Sequence, residues 1–175
     1  DSSSQTINVV TYAEPTCTAS YSFGGTPVAI PDNDSTGVAL TLNLTDVYGN
    51  NLGTDVSLVR VCLTGFISSV GDIKATLIAP NGKSVDLMDR PGYPALPSGC
   101  PNADFDFCIV RGVGNSTENS CSSLPPAVGG EHTAMEGFNL DSLNIAGGSP
   151  NGTWTLILHD YNAGSIGQLA AASLV

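Results

Sequence analysis

The sequence predicts an all-β fold, an antiparallel sandwich of short strands. Three observations lead there. Aliphatic and polar residues alternate with a period of two in several short runs, as a half-buried strand requires. Twenty Gly and eleven Pro lie largely between those runs, supplying turns at short spacing. No stretch of useful length carries apolar residues at helical spacing. A chain of 175 residues fits one domain, and 41 % apolar residues suffice for a core.

Ser4–Tyr12, with Ile7, Val9, Val10 and Tyr12, is β-branched and reads as a strand, set apart from the rest of the chain by Glu14-Pro15-Thr16. Val38, Leu40, Leu42 and Leu44 alternate with Ala39, Thr41 and Asn43. Val56–Thr64 is a second clear strand, after a turn region over Asp46–Asp55. In Asp72–Ala79, Ile73, Ala75 and Leu77 face one way and Lys74 and Thr76 the other. Pro80-Asn81-Gly82-Lys83 is a tight-turn signal that makes a hairpin of this run and Ser84–Met88. From Asp89 to Asn139 the periodicity lapses in a stretch rich in Pro and Cys, with one strand-like run, Asp104–Arg111. Thr153–His159 reads as the final strand, with Trp154, Leu156 and Leu158 inward and His159 on the opposite face.

Charge excludes whole classes of function. Sixteen acidic against five basic residues give a formal charge of −11. Nucleic acid needs Lys and Arg to neutralise its phosphates, and an anionic membrane surface needs them equally. No apolar run is long enough to insert into a bilayer. Polarity supplied by Ser, Thr and Asn, and an opening Asp1 that suits a chain freed of its signal peptide, read as secreted. Four sequons, at Asn33, Asn43, Asn115 and Asn151, are glycosylation candidates, Asn115 first because it lies in a polar loop.

The five cysteines, Cys17, Cys62, Cys100, Cys108 and Cys121, include no C-x-x-C pair. Disulfides with one thiol left over are the better reading than zinc, with fifteen frameworks open. A bridge within the group Cys100, Cys108 and Cys121 is the first expectation. Cys17 is open to pairing between molecules or to burial as an inert thiol.

Four runs together carry a family resemblance. They are Ile30-Pro31-Asp32-Asn33-Asp34 with Gly37; Val70-Gly71-Asp72-Ile73 through Pro80-Asn81-Gly82; Leu87 with Arg90-Pro91-Gly92; and Asn151-Gly152-Thr153-Trp154-Thr155-Leu156 with Asp160, Gly164 and Gly167-Gln168-Leu169. In this order they resemble the P domain (Homo B domain) located after the catalytic domain in kexin- and furin-like proprotein convertases and in secreted bacterial proteases. The resemblance covers residues 30–175 and implies an eight-stranded jelly-roll sandwich there, to which residues 1–29, an N-terminal strand and linker, are extra. It also implies a non-catalytic role and frequent calcium binding. One departure stands out. The family usually closes on a Trp where this chain reads Ala170-Ala171-Ala172-Ser173-Leu174-Val175, so the closing strand is expected to be small and weakly anchored.

A serine-hydrolase triad needs a positioned imidazole. His132 lies in a Gly-rich loop by sequence and His159 ends a strand. With no G-x-S-x-G and no H-E-x-x-H either, the chain is expected not to be an enzyme. The acids are the better candidates, since twelve of the sixteen are Asp. Asp32-Asn33-Asp34 opens like an EF-hand loop, but Asn43 stands where that loop needs its Glu, leaving an oxygen-ligand turn. The resemblance further implies a Ca²⁺ site at one end of the sandwich drawing on Asp72, Asp106 and Asp160. The alternative is that these carboxylates cap turns or pair with Arg60, Arg90 or Lys83. Arg90 itself is expected to bond loop carbonyls or an acid.

The leading functional expectation is a secreted, calcium-stabilised, non-catalytic module acting through protein–protein contacts. Standing alone, it would be a structural or assembly subunit of an extracellular surface or filament. Its partners would be copies of itself, joined by exchange of the strand around Ile7, Val9, Val10 and Tyr12. The alternative is a P domain that stabilises an upstream subtilisin-like protease domain. A glycan-binding adhesion module comes third, because aromatic residues are few.

Overall fold

The computed structural model describes residues 18–134 and 140–175. The N-terminal strand expected over Ile7–Tyr12, and Cys17, lie outside the described residues. Two sheets pack face to face. The first has the order β1 (Tyr21–Ser22), β10 (Gly167–Leu174), β4 (Arg60–Phe66), β7 (Phe105–Val110), β8 (Val128–His132), and β2 (Val28–Ile30) also pairs with β10. The second has the order β3 (Val38–Leu44), β9 (Gly152–Asp160), β5 (Ile73–Ile78), β6 (Ser84–Asp89). Strand β1 and the first two residues of β2, within the stretch read as linker, are thus hydrogen-bonded into the sandwich.

The period-two runs become strands because alternation puts all their aliphatics on one face. In β9 Trp154, Leu156, Leu158 and Asp160 are buried, while the residues between them are partly exposed. In β5 Ile73, Ala75 and Leu77 do the same. Across the sandwich Val61 and Leu63 of β4 and Phe105, Phe107 and Ile109 of β7 complete one core. Trp154 belongs to that core, its Nε1 donating to Pro150 O at 3.0 Å.

Four expectations need correction. The sandwich is not wholly antiparallel, because β8 runs parallel to β7. A short helix, α1 (Leu140–Ala146), escaped notice because seven residues hold only two turns; it buries Leu140, Leu143 and Asn144. Asn144 ties it to the sandwich by accepting from Leu58 N at 2.9 Å and donating to Leu58 O at 3.0 Å. His132 is in strand β8 and only 7 % exposed, not in a solvated loop.

The fourth correction concerns the end of the chain. Thr153–His159 is not the last strand, and the closing strand is firmly held. β10 pairs with β4 along its length and with β1 and β2 on its other side. Leu169, Ala172 and Leu174 are buried, and the register shift between Leu169 and Ala171 hides its alternation from a sequence reading.

Two disulfides are present among the described residues. Cys62–Cys108 joins directly opposed positions of β4 and β7, and Cys100–Cys121 closes the Pro-rich stretch. The latter is the bridge expected within that stretch.

Because Leu169 is fully buried at the heart of the first sheet, Leu169→Ala should cost about 2–5 kcal/mol of unfolding free energy. Denaturant titration checks this, and a loss below about 0.5 kcal/mol, as at a surface site, would place β10 outside the core.

Candidate functional site

Strand ends decide which acidic side chains meet. Ile73 opens β5 directly opposite Asp160, which closes β9, so Asp72, one residue earlier, arrives at the same end of the sandwich. The loop after β9 folds over this point. Asn162 Nδ2 donates to Asp72 Oδ1, and Ser165 Oγ donates to Asp72 Oδ2 at 2.8 Å. Asn162 N donates to Asp160 Oδ1 at 3.0 Å. From the β2–β3 loop, Asp32 Oδ1 accepts from Gly164 N at 2.9 Å. Gly71, just ahead of Asp72, must be glycine because a Cβ there would lie 2.2 Å from Cys100 N.

Three of the five acids singled out in the sequence, Asp32, Asp72 and Asp160, are therefore brought together. The other two are engaged elsewhere. Asp34 Oδ1 accepts from Thr36 N at 2.8 Å, a bond that holds its carboxyl below the usual value. Asp106 stands on the exposed face of the first sheet, accepting from Thr64 Oγ1 at 2.9 Å.

Asp160 is the atypical member. It has no solvent exposure, and its Oδ2 has no hydrogen-bond partner. Burial pushes its carboxyl above the ordinary 3.8, and the Asp72 and Asp32 carboxylates push the same way. The backbone N–H groups of Asn162 and Asn33 oppose them. Three of the five bases are paired with other acids. Arg60 pairs with Glu131 at 2.6 Å, Lys74 with Asp86 and Asp89 at 2.8 and 2.9 Å, and Arg111 with Asp141. At Lys74 burial works against the charge, yet the two carboxylates outweigh it and hold the ammonium at about 12.

As ligands, the acids are few. Among the described residues no three His, Cys, Asp or Glu side chains form a group able to hold a metal ion. A cation at this end would need neutral oxygens beside Asp72 and Asp160, as Ca²⁺ accepts. Asn162 and Ser165, which orient Asp72, were missed in the sequence. The signal was available, since Asp160-x-Asn162 is the spacing of an Asx turn.

Arg90 sits at the rim of the cluster. Its Nε donates to Gly71 O at 3.4 Å, and its guanidinium lies 4.3 Å from the Tyr93 ring centroid and 5.8 Å from that of Tyr161. It thus bonds a loop carbonyl, one of the two roles expected for it. Of the sequons, Asn33, Asn43 and Asn115 are exposed, whereas Asn151 Nδ2, the atom a glycan would occupy, donates to Val47 O at 3.0 Å.

Both histidines face backbone carbonyls. His159 Nδ1 is 2.8 Å from Ser35 O. His132 Nε2 donates to Gly129 O at 2.9 Å, which leaves Nδ1 to accept from Ser120 Oγ at 3.4 Å. A carbonyl stands behind the His132 ring where a catalytic imidazole has a carboxylate.

The raised Asp160 carboxyl has a signed consequence. The folded chain binds this proton more tightly than the unfolded chain, so its contribution to stability is lost as pH rises above about 3.8. In chelator, Asp160→Asn should therefore be more stable than the parent at pH 7, by about 1 kcal/mol for one relieved buried group. The advantage should shrink as pH falls toward 4. Denaturant midpoints across that range check it, and an advantage independent of pH would assign the gain to something other than the charge.

The family model described as the proprotein convertase P-domain matches residues 56–175. No curated protein matches the sequence. Among solved structures, the crystal structure of the Aeromonas sobria serine protease in complex with its chaperone is similar at 15 % identity and a TM-score of 0.44. That likeness covers 89 % of this chain and 25 % of the other, so the chain spans about a quarter of that protein's length. The family match extends over more than half of the sequence, and on it the chain belongs to the proprotein convertase P-domain family.

Proposed function

We propose that the chain is a secreted, non-catalytic domain that works through protein–protein contacts, as an assembly subunit of an extracellular surface or filament, stabilised by calcium. The observation that carries the calcium half is Asp160 Oδ2, a buried carboxylate oxygen without a donor beside two further carboxylates. Converging acids repel until a cation joins them. Asp72 and Asp160 would hold the ion, and the neutral oxygens of the Asn162–Ser165 loop would complete its shell. The ion would supply charge neutralisation and crosslink the strand-end loops, without a chemical step.

The non-catalytic half is supported by the engagement of both histidines with backbone carbonyls and by membership of an accessory-domain family. Two disulfides support an oxidising, extracellular setting. The uncharged, β-branched run from Ser4 to Tyr12 supports assembly by strand exchange, in which one copy lends this segment to the next. Family membership also favours a second reading, in which the domain stabilises a subtilisin-like catalytic domain.

Two measurements separate the alternatives. Millimolar Ca²⁺ should raise the melting temperature of the parent protein above its value in chelator, and Asp160→Asn should remove most of that shift. An equal shift in both proteins would place the ion elsewhere. By size-exclusion chromatography and negative-stain microscopy the full chain should form polymers that vanish when Asp1–Glu14 is deleted. A chain that stays monomeric at all concentrations would favour the protease-associated reading.

A further inference from the structure

A sheet must end somewhere, and the four edges of this sandwich are not alike. β1 and β2 are two and three residues long. β8 is Val-Gly-Gly-Glu-His, short, Gly-rich and charged, and Thr133 beyond it donates back to Asn115 O. β6 carries Asp86 and Asp89, is bulged at Leu87 against β5, and has Thr117 Oγ1 donating to its Leu87 O at 3.0 Å. Short length, charge, bulges and covering groups are how sheets block unwanted pairing.

β3 has none of these. Its seven residues, Val-Ala-Leu-Thr-Leu-Asn-Leu, include no charge and no proline. They pair in unbroken register with β9, from Val38↔Leu158 to Leu44↔Gly152. Among the described residues no strand pairs with its other side, so alternate N–H and C=O groups are presented there.

We infer that the outer edge of β3 is the acceptor for residues 4–12 of a second copy of this chain. The inference rests on the assembly reading above and names the docking place that reading leaves open. The donor is an uncharged run of strong β formers, with Ile7 and Val9 at the spacing of one strand face. The geometry of its departure favours a neighbour's edge over its own. Tyr21 pairs with Leu174 and lines, with Leu44, one small apolar cleft at the far end of the sandwich. The N-terminal segment therefore leaves near the C-terminal end of β3. Laid back along its own β3, it would run parallel, the less stable pairing, in a sheet that is otherwise antiparallel. To run antiparallel on its own edge, the chain from Tyr12 to Thr18 would have to return the whole length of β3. Six Cα steps reach at most about 20–23 Å, and β3 itself is about 20 Å long, so that leg would be drawn taut. A second copy can add antiparallel without either cost. The contact is heterologous, donor edge to acceptor edge, and so propagates.

Hydrogen exchange on the full chain tests this. In polymers the amides of 38–44 that face away from β9 should exchange at least ten-fold more slowly than in the protein lacking Asp1–Glu14. Ala39→Lys with Thr41→Lys, both at exposed positions, should cut polymer yield at least ten-fold while leaving the melting temperature of the monomer unchanged. Polymers that require Asp1–Glu14 but tolerate the two lysines and leave those amides of 38–44 unprotected would move the acceptor off β3 and leave the assembly reading standing. Protection of the outward-facing amides of 38–44, those not bonded to β9, that persists in dilute full-length monomer would overturn exchange between copies in favour of self-pairing. Polymers that survive the deletion, or a full chain that never polymerises, would remove the assembly reading itself.

Discussion

Burial of one face of each sheet against the other is the interaction on which everything else in this molecule depends. Trp154, Leu156 and Leu158 of β9 and Ala75 and Leu77 of β5 form one side of the core, and Val61, Leu63, Phe107 and Ile109 the other. Each fully buried aliphatic or aromatic side chain contributes about 1.5–3 kcal/mol relative to exposure. Since the period of a strand is two, a slip of one residue would turn this whole set outward. Register is thereby fixed, and register brings Asp72 and Asp160 to the same end.

That end is the part of the fold that the core does not favour. Asp160 continues the inward face of β9, occupying a position where the alternation calls for an aliphatic residue. An ionised carboxylate there is costly unless a partner joins it, and its nearest charged neighbours have the same sign. Lys74 is the opposite case. On the outer face of the same sheet, two carboxylates surround one ammonium and hold its proton tighter. One cluster is complete with protein groups alone, and in the other carboxylates of like charge meet, which is the physical basis of the cation proposed there.

The same period governs how much of the fold and the site was legible in the sequence. β3, β5 and β9 were readable because nothing interrupts their alternation, and β6 because the turn at Pro80–Lys83 pairs it with β5 although a bulge at Leu87 breaks its own period. β10 was not, because a register shift breaks its period and Ala170, Ala171 and Ala172 carry no β signal. β8 was hidden by Gly129 and Gly130, and the burial of His132 went with it. The acids were found through motif and position, yet sequence could not tell that Asp106 would stand beside Thr64 of β4 while Asp160 would meet Asp72 and Asp32. Sequence does report which face of a strand each residue takes, but which strands lie beside each other, and so which loops converge, is a property of topology.

The acid end and the β3 edge are joined by a single loop. Asp32 receives Gly164 N, and Ser35 O faces His159 Nδ1. Gly37, at φ +71°, lies so close to Leu158 O that a Cβ would fall 2.3 Å from it. A residue with a side chain would be strained there twice over, by conformation and by contact. The chain therefore enters β3 through a passage fixed at both ends by β9 and the loop beyond it. Whatever orders Asp32, Asp72 and Asp160 also orders the first residues of the edge strand. The acidic cluster at one end of the sandwich and the unpaired edge along its side are thus joined by six residues of backbone, Asp32 to Gly37, as well as by the ladder between β3 and β9.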